Sequence, residues 1–262
     1  MLIEDIVYNK NITFEHDSYL YEVVKLIERS RNISVASFAG AMRSGGLKIV
    51  GELREVSPET NMSNKYFDVY AMAEDFDKCA DGISVVTESH RYNGKDLYIK
   101  QVREKTNLPV VKRDIIISPM EIFYAKTLGA SAVTLVSAIL DDVELREYIN
   151  IINGLKMDAI VEVQTRSELI RALKAGAKII LINTLDYESL KYNPDILSEL
   201  VPIIPKNIIS IADCVEYGDK ELKLIVELNI NVIFLTTDIF NVSDRVKRVN
   251  ELRDKYLKRI PA

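Results

Sequence analysis

Apolar residues along this chain fall into eight short runs, and a helical pattern fills each interval between them. The runs are "LKIVGEL", "GISVVTE", "LPVVKRD", "AVTLVSA", "DAIVEVQ", "KIILINT", "NIISIAD" and "VIFLTTD", beginning about 20 to 35 residues apart. Between them lie amphipathic stretches such as "KDLYIKQVREKT", "SPMEIFYAKTLGA", "DDVELREYINIINGL" and "TRSELIRALKAGA". Ser118-Pro119 and Thr165 through Glu168 supply helix starts. Gly129, Gly154 and Gly176 fall where a left-handed residue is expected to end a helix. Near-continuous apolar strands alternating with helices predict a parallel sheet covered by helices. Eight such units close most naturally into a single (β/α)₈ barrel over residues 47–262. An open doubly wound sheet would place a Gly-rich phosphate loop after its first strand, and that turn here reads "GELREVSPET". Residues 1–46 precede the first strand. "YLYEVVKLIERS" and "SVASFAGAMRSGG" read as helices of an extension that caps one barrel mouth.

Barrels of this kind carry their chemistry at the C-terminal ends of the strands. Those ends read "GELRE", "VVTES", "VVKRD", "VEVQT", "LINTL" and "SIADC" for strands one, two, three, five, six and seven. Period-two alternation sets Glu52 and Arg54 on one side of the first strand, and sets Arg113 apart from Lys112 and Asp114. Glu162 sits inside an apolar strand, where an unpaired carboxylate is costly. Glu52, Arg54, Arg113, Glu162 and Asn183 are therefore expected to converge in one mouth. A structural ion pair inside the barrel is the plainer alternative for any one of them.

Charge and composition narrow the partners. A net charge of −5 carries no basic footprint for nucleic acid. No apolar run approaches the roughly 20 residues that span a bilayer. The opening "MLIEDIVYNKNITF" holds acids and no signal-peptide core, which predicts a cytoplasmic protein. Cys79, Cys214, His16 and His90 show no metal-ligand spacing, so neither a metal nor a cofactor is expected, and the thiols read as buried side chains. A small anionic molecule is the expected partner, and nothing in the pattern assigns an oligomeric state.

At these residues the sequence resembles the indole-3-glycerol-phosphate synthase family of tryptophan biosynthesis. The resemblance runs from about residue 34 to residue 240. It rests on "IVGELREVSP", "GISVVTESHRYNG", "LPVVKRDIIISPMEI", "GASAVTLVSAIL", "IVEVQTRSEL" and "IILINTLDYESL", and the N-terminal helices match an extension such enzymes carry. It implies a lyase that closes the indole ring of a carboxyphenylamino-deoxyribulose phosphate with loss of carbon dioxide and water. It also implies roles. Glu162 falls on a glutamate acting as general base or charge stabiliser, Glu52 on the first-strand glutamate, and Asn183 on the sixth-strand asparagine. Tyr92 falls on an aromatic that lies against the anthranilate ring, and Ser57 on the serine following the first strand.

The departures from the family pattern fall on its cations and its phosphate loops. Arg113 replaces the lysine that protonates the ketone oxygen, and Arg54 replaces a second lysine. A guanidinium can hold an oxyanion but is a poor proton donor. Lys112 could reach the mouth only across a bulge. Asp213-Cys214-Val215 stands where the family has Glu-Ser-Gly, and Thr236-Thr237-Asp238 where it has Gly-x-Ser. Asp213 and Cys214 are carried over as substrate-binding, but Val215, Thr236 and Asp238 remove the glycine cradle that lets amides approach a phosphate. Leu185 replaces a further arginine. Three readings follow: a slow lyase of this family, a non-catalytic scaffold for a protein partner, or a barrel turned to a non-phosphorylated ligand clamped by Arg54 and Arg113.

Overall fold

A computed structural model of the chain describes residues 2–17, 23–58, 61–186, 189 and 191–259. Its eight apolar runs are eight parallel strands: β1 (Lys48–Leu53), β2 (Gly82–Val86), β3 (Val110–Arg113), β4 (Ala132–Val136), β5 (Asp158–Val163), β6 (Ile179–Asn183), β7 (Ile209–Cys214) and β8 (Val232–Leu235). Each pairs with the next, and β1 also pairs with β8, so the sheet closes on itself. The barrel helices are α4 (Val69–Cys79), α5 (Leu97–Arg103), α6 (Pro119–Leu128), α7 (Asp142–Gly154), α8 (Arg166–Ala175), α9 (Ile196–Leu200), α10 (Asp219–Glu227) and α11 (Arg245–Leu257). Among the described residues no helix is long and apolar enough to cross a membrane.

Sequence signals set the helix boundaries. Ser118 and Glu121 cap α6 reciprocally, and the Thr165 hydroxyl accepts the Glu168 amide at 3.2 Å. Gly129 and Gly176 end α6 and α8 at φ +93° and +95°. Gly154 does not take that role. It is the last residue of α7, and Lys156 two positions on adopts the left-handed conformation at φ +55°. The helix runs one turn position longer than its glycine suggests, because the amide of Leu155 still finds the Ile151 carbonyl at 3.0 Å.

Two apolar layers hold the barrel. The inner layer joins Val50, Val111, Ile160, Leu181, Ile211 and Phe234 from alternate strand positions. Its N-terminal end is closed by Phe38 and Met42 of α3 (Phe38–Met42). The outer layer packs the opposite strand faces against the helices. At the other end, α1 (Leu2–Asp17) seats Ile3 and Ile6 on Ile115 and Val136, and α2 (Val23–Arg31) packs on α6. The extension thus touches both ends of the barrel: α3 fills the inert end and α1 covers the end where strand C-termini open.

Candidate active site

The C-terminal mouth encloses a cavity of about 260 Å³. Glu52, Arg54, Ser57, Tyr92, Arg113, Glu162, Asn183 and Asp213 all line it. Strand pairing explains why residues so far apart in sequence meet. Arg113 pairs with Val86, Glu162 with Val136, and Asn183 with Asp213, each at the C-terminal end of its strands, so these residues meet at the same mouth.

Arg113 is the centre of the group. One guanidinium nitrogen donates to Glu52 Oε2 at 2.7 Å, and the other reaches Glu162 Oε2 at 3.4 Å and Asp213 Oδ2. Three buried carboxylates from β1, β5 and β7 thereby share one guanidinium. Asn183 fixes Glu162 from the side. Its carbonyl accepts the Leu185 amide at 2.9 Å, which leaves its amide nitrogen to donate to Glu162 Oε1 at 2.9 Å. Burial pushes the Asp213 carboxyl up to about 7; Arg113 opposes that shift, and Glu52 and Glu162 add to it.

Arg54 sits between two aromatic rings, 5.9 Å from Tyr92 and 5.3 Å from Phe240. Its guanidinium donates to Ser57 Oγ at 3.4 Å and lies 3.7 Å from Glu52. Tyr92 is held by a turn that the sequence showed without assigning. The Glu88 carboxylate accepts the amides of His90, Arg91 and Tyr92 at 2.7, 2.7 and 3.1 Å. Gly94 closes this turn. A Cβ there would lie 2.6 Å from the Thr87 backbone, so no larger residue fits.

Lys112 takes no part in the mouth. The β2–β3 and β3–β4 registers run without a bulge, and alternation turns Lys112 outward. There it donates to Thr87 Oγ1 at 2.8 Å and pairs with Asp114 at 2.9 Å and with Asp96. Burial alone would lower its pKa, but Asp114 and Asp96 outweigh that and hold it above the usual lysine range. Cys214 is also turned away. It follows Asp213 on β7, so it enters the outer layer beside Tyr217, and burial pushes its thiol up to about 12. Cys214, expected as substrate-binding, is not among the residues that line the cavity.

The loops after β7 and β8 carry an anion of their own. Asp238 Oδ2 accepts the Tyr217 amide at 2.8 Å, and Oδ1 pairs with Arg248. Val215, Thr236 and Thr237 of the same loops line the cavity. A backbone amide that could serve an incoming phosphate is already taken by a side chain.

Other contributors gave no signal in the strand pattern. Ile3 and Ile6 of α1 roof the cavity. Lys10 reaches down beside it and donates to Asp114 Oδ1 at 2.8 Å, the Ile115 carbonyl at 2.5 Å and Glu121. Asp5 accepts from Arg91 Nε at 2.7 Å and lies 3.3 Å from His90 Nε2. These contacts join residues about a hundred positions apart, and only the closed barrel brings them together.

The profile of the family described as indole-3-glycerol phosphate synthase matches residues 3–252, which includes the extension. The indole-3-glycerol phosphate synthase of Thermoanaerobacter sp. (strain X514) is 26% identical over 252 residues, covering 96% of each chain. That of Caldanaerobacter subterraneus subsp. tengcongensis is 32% identical over 218 residues, covering 81% of this chain and 85% of its own. Among solved structures, 3-hexulose-6-phosphate synthase from Salmonella typhimurium superposes with a TM-score of 0.62 at 17% identity, over 81% of this chain and all of its own. A thiamine phosphate pyrophosphorylase from Pyrococcus furiosus gives 0.61 at 14% identity, over 82% and 98%. At such identities these two speak for the barrel alone.

Proposed function

The chain belongs to the indole-3-glycerol phosphate synthase family, and we propose that its mouth closes the indole ring of a carboxyphenylamino-deoxyribulose phosphate. The enzyme is a carboxy-lyase of tryptophan biosynthesis. The observation that carries the reading is the convergence of Glu52, Glu162 and Asn183 on Arg113 under α1. Closing the ring and losing the carboxylate together require the new bond to form at the aromatic carbon that bears the carboxylate. The ketone oxygen then needs a proton, and loss of water from the resulting hydroxyl requires a methylene proton to leave as well. Glu162, oriented by Asn183 and Arg113, is placed to take the methylene proton. Arg113 is placed to hold the developing alkoxide. Glu52 keeps both Arg113 and Arg54 in position.

Tyr92 and the apolar roof of Ile3 and Ile6 suit an anthranilate ring. Arg54, backed by Tyr92, Phe240 and Ser57, suits an anionic end of the substrate. The phosphate end is the loosely held end in this reading, because Asp238 fills its loop. Residues 1–46 act as an extension of the barrel formed by 47–262, and the reaction belongs to the cytoplasm. The test is an indole-fluorescence assay with the phosphorylated substrate and concentrated protein. Fluorescence should rise in proportion to protein and be lost in Glu162→Gln. No rise at any protein concentration would sink the reading.

A further inference from the structure

Arg113 stands where a proton donor is required, and a guanidinium keeps its protons throughout the working pH range. Some other group in the mouth must supply the proton. Lys112 is turned outward onto Thr87, Asp96 and Asp114. Lys10 is engaged by Asp114, Glu121 and the Ile115 carbonyl. Asp213 remains. Its side chain is only 7% exposed, it lines the cavity, and it lies on the guanidinium that is placed to receive the ketone oxygen.

Charge counting singles out this carboxyl. Around Asp213 stand Arg113 from β3, Glu52 from β1 and Glu162 from β5, with neutral Asn183 beside it on β6 and with Cys214 and Tyr217, whose groups burial keeps neutral, following it in the chain on the outer side. Arg54 lies 3.7 Å from Glu52. Three buried carboxylates on one guanidinium do not all ionise readily, because like charges in a poorly solvated site repel. An anionic substrate adds to that repulsion.

We infer that Asp213 is the general acid of this enzyme and delivers the proton to the ketone oxygen during ring closure. The assignment rests on the ring-closing reading above. In the step, the ring carbon bearing the carboxylate bonds to the ketone carbon. The carbonyl π pair moves to oxygen, which takes the Asp213 proton and becomes a hydroxyl. The carbon–carboxylate bond then breaks, its electrons restore the aromatic ring, and carbon dioxide leaves. The methylene proton taken by Glu162 departs with the hydroxyl as water. One solvent proton is consumed per turnover, and Asp213 takes it up. Arg113 pairs with the Asp213 carboxylate left behind and with the alkoxide as it forms.

The experiment has two readouts. The first is kcat against pH for wild type, Asp213→Asn and Asp213→Glu. Wild-type kcat should fall as pH rises through about 7, where Asp213 loses its proton. Asp213→Asn should lose that limb and about 10²- to 10⁴-fold in kcat, and Asp213→Glu should keep the limb. Arg113→Lys should restore a lysine donor, so Asp213→Asn should cost far less in that background. Near-wild-type kcat in Asp213→Asn, or an unchanged alkaline limb, overturns the inference and leaves the ring-closing reading standing. The second readout needs no turnover: urea stability of wild type against Asp213→Asn from pH 4 to 8. Wild type should lose stability relative to the asparagine variant between about 4 and about 7. Two parallel curves would show that Asp213 does not hold its proton and would overturn the inference too. If wild type turns over no substrate, the ring-closing reading falls first and takes this assignment with it.

Discussion

Asp114 and Asp213 are both buried aspartates at the C-terminal end of the barrel, and their surroundings push them in opposite directions. Asp114 directly follows β3 at the edge of the cavity, on the side to which Lys112 turns. It accepts from Lys10 at 2.8 Å, from Thr87 at 2.5 Å and from its neighbour's amide at 2.8 Å, and Lys112 stands 2.9 Å away. Burial would raise its pKa, but the two lysines outweigh that and hold the carboxyl well below the usual range. Asp213, inside the barrel, shares one guanidinium with two other carboxylates and rises to about 7. Burial is common to both. What differs is how many cations serve each carboxylate, and that decides which site can exchange a proton and which merely holds the chain together.

The largest expected effect comes from removing one carboxylate of the inner group. Glu162→Gln takes away the proposed base and should lower kcat by about 10²- to 10⁴-fold. It also removes a like charge beside Asp213, so the alkaline limb of the residual rate should move to lower pH. A residual rate with its limb unmoved would show that Glu162 and Asp213 do not feel each other.

The outer group should answer in stability. Lys112→Ala leaves Asp114 with Lys10 alone, and removing one partner of a buried ion pair costs about 3–5 kcal/mol. The urea midpoint should drop accordingly, while kcat of the folded protein stays within a few-fold of wild type. Loss of turnover in a folded Lys112→Ala protein would mean that the two sides of β3 are not separate.

The two aspartates should also leave opposite marks on stability against pH. A depressed folded pKa stabilises above the unfolded value near 3.9, so the Asp114 contribution is present at neutral pH. It is lost as pH falls through its lowered folded value. A raised folded pKa does the reverse. Between about 4 and about 7 folded Asp213 holds a proton that the unfolded chain has released, so stability falls as pH rises through that window. Asp114→Asn should therefore flatten the acid side of the urea curve. Its neutral side should still decline.

The barrel was legible because its signals are local and repeated: every apolar run named from the pattern became a strand. The inner group was legible for the same reason, since alternation along single strands decides which of Arg113 and Lys112 faces inward. The same alternation turns the Cys214 side chain outward, into the layer beneath the helices. Lys10, Asp5 and the Ile3–Ile6 roof were not legible at all, because their meaning comes from partners such as Asp114 and Arg91 far along the chain. Asp213 was visible as a position, but the upward push on its carboxyl was not. That property belongs to four side chains from four strands.

The smallest expected effect concerns the loops after β7 and β8, which differ from the inner group in having brought their own anion. Asp238 satisfies the Tyr217 amide and neutralises Arg248, so sulfate or phosphate should bind there weakly or not at all. Val215 and Thr236 add side chains where a phosphate would need close approach to backbone amides. Reverting Val215→Gly, Thr236→Gly and Asp238→Ser together should free the amide and the guanidinium and remove a like charge. Anion affinity, read by titration calorimetry with inorganic phosphate, should rise at least tenfold, about 1.4 kcal/mol. Asp238→Ser alone should recover most of this, because Asp238 occupies both donors whereas the other two residues only crowd them. KM for the phosphorylated substrate should fall in the same variants with kcat little changed, since the loops bind the end of the substrate that does not react. Tight phosphate binding by the wild-type protein would show that the Asp238 carboxylate yields its partners to a better anion, and that the loops are a phosphate site after all.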